Sequence, residues 1–364
     1  MAGPDAPDNR DRFDAADLRG FTATVLLHYS MPPDAAARSA EILVDADLAG
    51  IESHGIAHLP WHSGYAPGFE SGAVNPRPEI AVLRESPVSA AWDADGAFGL
   101  LVGAQAMDAA IAKAEASGIG MVTVRNGRHF GAAGYYARMA ADRGLIGMAM
   151  TAVTPIAVAA GSLDRAFGTN PIAMAAPIRD QPPFLLDMAT TAVAGGKLEI
   201  AGRQGRALPA GWAVDAEGAA SDDPAALRNA GALLPLGSDL STSSYKGYGL
   251  GLMVDILSGV LSGQGPALGN AGVKDGEMGQ WFAAWRINLF RDPDEFMDEM
   301  SDWVDALRDS RPTPGVDAVQ VAGDPEHRAR EERTTLGIPL DQETVDQLRD
   351  LAAKLNLEFP AALA

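Results

Sequence analysis

The 364-residue chain contains no cysteine. That removes disulfides, thiolate nucleophiles, iron–sulfur clusters and cysteine-ligated zinc together, and it fits a cytoplasmic protein. Histidine is scarce, with six in the chain: His28, His54, His58, His62, His129 and His327. Basic residues fall short of acidic ones, 28 against 48, for a formal charge of −20. Without a basic face, neither nucleic acid nor an anionic membrane is an expected partner. Long apolar runs are missing too. Residues 145–160 form the most apolar stretch, shorter than the ~20 residues of a membrane span and broken by Pro155. The first 17 residues are polar and acidic, with no apolar stretch of the signal-peptide kind. What is present is a 47% hydrophobic chain, ample for a large core and roughly two domains.

Residues 14–72 read as helical. Asp17 is the expected N-cap ahead of Leu18, Phe21, Val25 and Leu26, which lie at helical spacing. Pro32-Pro33-Asp34 interrupts this segment, and a second helix runs through Ala40, Leu43, Val44 and Leu48. A third is expected to carry His54, His58 and His62. Asn75-Pro76-Arg77-Pro78 reads as a linker. Beyond it, strands are expected at 80–83, 88–92, 120–125, 146–151, 185–188 and 281–289. Helices are expected at 100–117, 135–143, 250–261, 293–309 and 341–356. Alternating strand and helix points to a layered α/β architecture.

On a helix, spacing by four puts His54, His58 and His62 on one face. Two such imidazoles can share a zinc ion. The repeat holds no glutamate of the H-E-x-x-H kind, however, and Gly55 and Pro60 disturb the helix. The favoured reading is a pocket-lining stripe with no metal. His129, in Arg125-Asn126-Gly127-Arg128-His129-Phe130-Gly131, follows a buried strand and precedes a helix. Ligands gather at such strand ends in α/β sheets. Gly247-Tyr248-Gly249-Leu250-Gly251 lacks the G-x-G-x-x-G spacing, and the chain has neither a Walker motif nor a G-x-S-x-G elbow. Asp187 is an acid inside an apolar strand, where it needs a partner. Two readings stand side by side: a cap for the next helix, or a residue that orients a histidine or accepts from a ribose hydroxyl.

Six ordered blocks then carry a family likeness. They are Asp47-Leu48-Ala49-Gly50-Ile51-Glu52-Ser53-His54-Gly55, His129-Phe130-Gly131-Ala132-Ala133-Gly134-Tyr135-Tyr136, Gly168-Thr169-Asn170-Pro171, Leu186-Asp187-Met188-Ala189-Thr190, Pro209-Ala210-Gly211-Trp212-Ala213-Val214-Asp215 and Lys246-Gly247-Tyr248-Gly249-Leu250. Over roughly residues 14–345 the chain resembles the malate/L-lactate dehydrogenase family of the non-Rossmann type. The resemblance implies an α/β fold, a mixed sheet layered with helices plus a helical N-terminal domain. That domain would span residues 14–75, joined by the C-terminal segment 320–364. Residues 76–319 would form the α/β cofactor-binding and dimerisation domain.

The resemblance further implies NADPH or NADH, a small-molecule substrate and a homodimer. Hydride would move to or from C2 of a 2-oxo acid, a 2-hydroxy acid or a cyclic imine. His54, His129, Ser53 and Asp187 become the catalytic candidates, with either histidine able to give or take the proton. His129, Thr169, Asn170, Asp187, Met188, Ala189, Tyr245, Lys246, Gly323, Asp324 and Pro325 are expected at the cofactor. An imidazole suits the proton step near neutral pH.

The chain also departs from the family's pattern. His58 stands where the family has the arginine of S-H-G-x-x-R, and His62 where it has a tyrosine. Arg128 replaces an asparagine, Gln280 a histidine, and Thr151-Ala152 a T-N pair. Nearly all of these changes are expected to line the substrate pocket. His58, His62 and Arg128 are the expected substrate contacts, and a carboxylate held by His58 requires that imidazole to be protonated. The alternative reading is a catalytically silent member that binds NAD(P)H without turnover.

Overall fold

The computed structural model describes residues 10–61, 64–203, 205–270 and 276–363. His62, expected on the histidine stripe, lies outside them. The chain divides into two compact units, Met1–Arg77 with Asp324–Ala364, and Pro78–Gly323. The first break falls inside Asn75-Pro76-Arg77-Pro78.

The first unit is built on helices Ala15–His28, Pro33–Leu48, Asp324–Leu336 and Gln342–Leu355. Leu18, Phe21, Val25 and Leu26 are buried, as their spacing predicts. The cap of the first helix is Asp14, not Asp17: its side chain accepts from Ala16 N (2.7 Å) and Asp17 N (3.1 Å). Asp17 sits in the first turn, where a negative charge still suits the helix dipole. Pro33 opens the second helix, a position where its missing N–H costs nothing. Strand Asp11–Phe13 pairs antiparallel with Ile338–Leu340, and Phe359 packs its ring on Phe13 and Phe21 at 5.4 and 5.1 Å.

The expected third helix does not form at the histidines. Glu52–His54 and Ile56–His58 are separate 3₁₀ turns, and the helix begins only at Tyr65. Between the turns Gly55 is extended, with φ −91° and ψ −156°. His54 and His58 are therefore not neighbours on one α-helical face.

The second unit contains a seven-stranded sheet. Its strands are β1 (Ala81–Glu85), β2 (Ser89–Asp93), β3 (Ile119–Gly127), β4 (Leu145–Ala152), β5 (Ile172–Ile178), β6 (Gln181–Met188) and β7 (Met278–Arg286). Their order is β1-β2-β3-β7-β4-β5-β6. Strands β2 and β3 pair in parallel, joined by helix α1 (Gly99–Ser117), and the other pairs are antiparallel. A doubly wound Rossmann sheet is all or mostly parallel, so this mixed sheet is a different α/β architecture.

The antiparallel links run β3–β7–β4–β5–β6, so β3, β4 and β6 point the same way and end at one edge of the sheet. Helices α1 and α2 (Ala133–Ala141) pack closely on it: Gly120 lies against the Ala110 carbonyl of α1, and Gly147 against the Ala137 carbonyl of α2. On the other face Met150, Ile172 and Trp281 pack with Val254, the last residue of helix α3 (Ser244–Val254). Winding then changes to a π-helix over Asp255–Val260, so the apolar helix starts six residues before the expected 250. A smaller sheet, from Ala213–Val214, Ala220–Ser221, Ala232–Leu233, Ala157–Val158 and Arg165–Phe167, has its own core around Phe167, Leu198, Leu208 and Leu233.

Candidate active site

In the first unit the Ser53-His54-Gly55 turn is built over a buried carboxyl. Asp47, near the end of helix Pro33–Leu48, is 1% exposed and accepts from Ile56 N at 2.7 Å. Its carboxyl fills the space that a Cβ on Gly55 would occupy. Burial pushes this carboxyl up to about 8; the Ile56 N–H pulls against that, the charge of Glu52 adds to it, and Arg333 opposes. Arg333 Nη1 donates to the Asp47 carbonyl (2.6 Å) and Nη2 to Glu52 (2.7 Å), while Arg10 meets Glu52 at 3.0 Å.

Ser53 Oγ lies 2.9 Å from His54 Nδ1. Burial lowers the His54 imidazole to about 4. His58 falls to about 3, through burial first and then the neighbouring His54, against a hydrogen bond with the Ser53 backbone. Its ring packs against Trp61 and Tyr65, with centroids 4.8 and 4.7 Å away. Both imidazoles are neutral at pH 7. The positive charge that a carboxylate anchor at His58 requires is opposed by burial and by the neighbouring His54.

In the second unit His129 follows β3 on a turn fixed largely through its backbone. Gly131 N donates to His129 Nδ1 at 3.4 Å. Gln280 Nε2 donates to the Arg128 carbonyl (3.0 Å), and Tyr136 Oη donates to the Phe130 carbonyl. Gly99, the first residue of α1, lies flat against the Arg128 and His129 carbonyls, where no side chain fits. Just upstream Asn126 takes φ +55°, held by its Nδ2 donating to Asp93 (2.9 Å) and its N–H donating to Gln264 Oε1 (2.7 Å).

Asp187, near the end of β6, accepts from Gly134 N at 2.7 Å. It is a helix cap, as one reading held, but for α2, the helix that follows His129, and not for the next helix in sequence. A negative charge there suits the dipole of α2. Gly134 must stay small, since a Cβ would come within 2.9 Å of Asp187 Oδ2 and 3.1 Å of its Cβ. Because β3 and β6 end at the same sheet edge, the Asp187 carboxylate and the His129 turn meet at the start of α2. Met188 closes β6 and Ala189 follows it. Leu185 N donates to the Ala322 carbonyl (3.1 Å), and Gly323, at φ +101°, packs over Leu185, so residues 322–323 run beside the strand that carries Asp187. Asp324 and Pro325 open helix Asp324–Leu336 of the first unit.

The remaining expected cofactor residues divide. Tyr245 and Lys246 are exposed on the first turn of α3. Asn170 is fully buried: its Oδ1 accepts from Val153 N (3.1 Å) and its Nδ2 donates to the Gly251 carbonyl (3.0 Å). Thr190 Oγ1 adds bonds to the Thr169 and Asn170 carbonyls, both 3.1 Å. Thr169-Asn170 is thus an internal brace, with both ends of the Asn170 amide bonded to backbone. Sequence reasoning missed Asp47, and Gln280, one of the departures from the family pattern, is fully buried behind the His129 turn. The signal for Asp47 was present, as an acid two residues inside a buried helix end. Among the described residues no three His, Cys, Asp or Glu side chains cluster as a metal site, and no helix is long and apolar enough to cross a membrane.

Residues 13–349 match the family model for malate/L-lactate dehydrogenase. The chain is 40% identical over 354 residues to a malate dehydrogenase of Pyrococcus abyssi, covering 96% of this chain and 97% of that one. It is 35% identical over 341 residues to the L-sulfolactate dehydrogenase of Methanocaldococcus jannaschii, covering 92% and 94%. The solved malate dehydrogenase from Entamoeba histolytica superposes with a TM-score of 0.92 at 30% identity, covering 97% of this chain and 100% of that one. Fold and likeness together define an oxidoreductase of the dehydrogenase class. The chain belongs to the malate/L-lactate dehydrogenase family.

Proposed function

We propose that this chain is an NAD(P)H-dependent oxidoreductase that moves a hydride to or from C2 of a 2-oxo acid, a 2-hydroxy acid or a cyclic imine. The observation that carries this reading is the meeting of the His129 turn, the Asp187 carboxylate and the Gly323 edge in one part of the second unit. These residues suit a nicotinamide cofactor. The half-buried Asp187 is a carboxylate, the group type that accepts from ribose hydroxyls, Gly323 keeps the strand edge clear, and Lys246 on the first turn of α3 suits a phosphate. The cofactor supplies the hydride chemistry when bound. The chain binds, orients and handles the proton, for which His54 and His129 are the two candidate imidazoles.

Burial keeps His58 neutral, so we assign the grip on a substrate carboxylate to Arg128, whose planar guanidinium can bind it with two prongs. In this reading the pocket is altered: His58, which stands at the position of the family's arginine, is neutral and packed on Trp61 and Tyr65. The exposed Ile256, Val260 and Leu261 support a homodimer, and the absence of cysteine supports a cytoplasmic location.

The test is absorbance at 340 nm with NADH and with NADPH, against 2-oxo acids, cyclic imino acids and carboxylate-free ketones. Turnover of carboxylate substrates is expected, with KM raised about tenfold or more in Arg128→Met. His54→Gln and His129→Gln, compared at saturating cofactor, identify the proton carrier. Cofactor binding with no oxidation of either cofactor across the panel overturns the proposal in favour of a silent binder.

A further inference from the structure

The His129 turn rests on a side chain that packing alone does not call for. Gln280 lies in β7 on the same parity as Phe282, whose ring meets those of Phe130 (6.1 Å) and Tyr136 (5.5 Å). Side chains alternate along a strand, so position 280 belongs to the apolar layer between the sheet and the helices. Yet it holds a fully buried glutamine. Its Nε2 donates to the Arg128 carbonyl at 3.0 Å, and among the described residues none donates to its Oε1. Leaving a buried carbonyl oxygen without a donor costs more than one buried hydrogen bond returns. A methionine or leucine would serve the packing better, so the bond to Arg128 has to matter for another reason.

That bond completes a clamp. The carbonyls on either side of His129 are each gripped by a side-chain donor, Arg128 by Gln280 and Phe130 by Tyr136. Gly99 closes the remaining side against the carbonyls of Arg128 and His129. With the Arg128 peptide held before it, the Phe130 carbonyl held after it and Gly99 packed on its own carbonyl, His129 has little freedom in where its side chain points.

We infer that Gln280 is a positioning residue that aims the His129 imidazole by holding the Arg128 peptide. The inference rests on the oxidoreductase reading for its kinetic consequences alone. The amide suits the task because it does not titrate, so the clamp keeps its donor at every pH. A glutamate of the same shape turns an oxygen toward the Arg128 carbonyl when ionised and donates only when protonated.

The experiment compares the full-length wild type with Gln280→Met and Gln280→Glu. It reads thermal midpoint, the proton NMR resonance of the His129 ring (assigned by its loss in His129→Gln), and kcat and KM separately. In Gln280→Met the His129 resonance should shift, with kcat down about tenfold and KM changed much less. Gln280→Glu should match that loss near pH ~8.5 and recover several-fold near pH ~6, where a buried carboxyl takes up its proton. A role in stability alone would lower the thermal midpoint and leave the resonance and the pH profile of kcat as in the wild type. That result, or a Gln280→Met enzyme with wild-type resonance and kcat, overturns the inference. Should Gln280→Met fail to fold, the isosteric glutamate variant decides the matter through its pH-dependent recovery. A wild type without turnover counts against the oxidoreductase reading, and the His129 resonance still decides the positioning role.

Discussion

Gly55→Ala tests the Asp47 seat of the Ser53-His54-Gly55 turn most directly. Gly55 has φ −91°, so alanine fits its backbone and the cost is steric alone. The added methyl overlaps Asp47 Cγ and both carboxyl oxygens. The carboxyl cannot swing aside without releasing Ile56 N, which it holds at 2.7 Å. Overpacking a buried site costs about 1–3 kcal/mol, and an unpaired buried N–H costs about another 1–3 kcal/mol. Gly55→Ala should therefore cost about 2–6 kcal/mol by these two terms. Asp47→Ala alone loses the second term. In the double variant the methyl enters the space that the carboxyl vacates, so the double should be little worse than Asp47→Ala. The coupling is then about as large as the whole cost of Gly55→Ala, about 2–6 kcal/mol, well outside the ~0.5 kcal/mol scatter of independent sites. Urea unfolding of the four proteins, compared at matched slopes, gives the cycle. Additive losses would refute the argument, because they would mean that Gly55 and Asp47 do not compete for one space.

Two further predictions concern titration and the internal brace. The folded-state values of His54 and His58, about 4 and about 3, lie below the ~6.5 of an unfolded histidine, so the unfolded chain binds protons that the folded one refuses. Stability should fall as pH drops from about 6.5 toward 4, and His58→Gln should flatten that fall; unchanged slopes of urea midpoint against pH would contradict it. Asp47 has the opposite sign: held at about 8 in the fold against ~3.9 unfolded, it should erode stability as pH rises through that window, and Asp47→Asn, which keeps an acceptor for Ile56 N, should remove the erosion. Asn170→Ala strips partners from Val153 N and the Gly251 carbonyl and places alanine at φ +37°, so a loss of about 2–5 kcal/mol is expected in thermal or urea unfolding. A loss of cofactor affinity with unchanged stability would instead make Asn170 a ligand contact.

Much of the fold is legible in local pattern. The helices of the first unit bury the residues their spacing selects, and β3 and β4 fall within two residues of the expected strands. The exceptions have physical causes. Asp14 and Asp17 are both acids ahead of an apolar run, and only the extended backbone at Asp14 decides which one caps. Strand β6 begins at Gln181, four residues early, because Pro182 and Pro183 read as breakers. On the outermost strand of a sheet proline forfeits little, since the ladder needs only one side of its backbone. Spacing by four suggested a helix through His54 and His58, but the Asp47 carboxyl beneath Gly55 imposes two tight turns instead.

The same division runs through the site. The residues proposed to carry chemistry are rare types in telling places: His54 and His129 in a histidine-poor chain, and Asp187 in an apolar strand. Residues that aim them are ordinary types whose work is done through distant backbone. Asp187 caps a helix 53 positions earlier in the chain, and Gln280 holds a carbonyl 152 positions earlier. Neither pairing has a local signature. Both follow from β3 and β6 ending at the same edge with β7 between β3 and β4. Gln280 shows how such a residue can still be suspected: a fully polar side chain on the buried parity of a strand has to be bonded to something, and the strand beside it ends at the His129 turn. Buried polar groups at apolar register positions therefore mark positioning residues, and a substitution there should move orientation and kcat before it moves the fold.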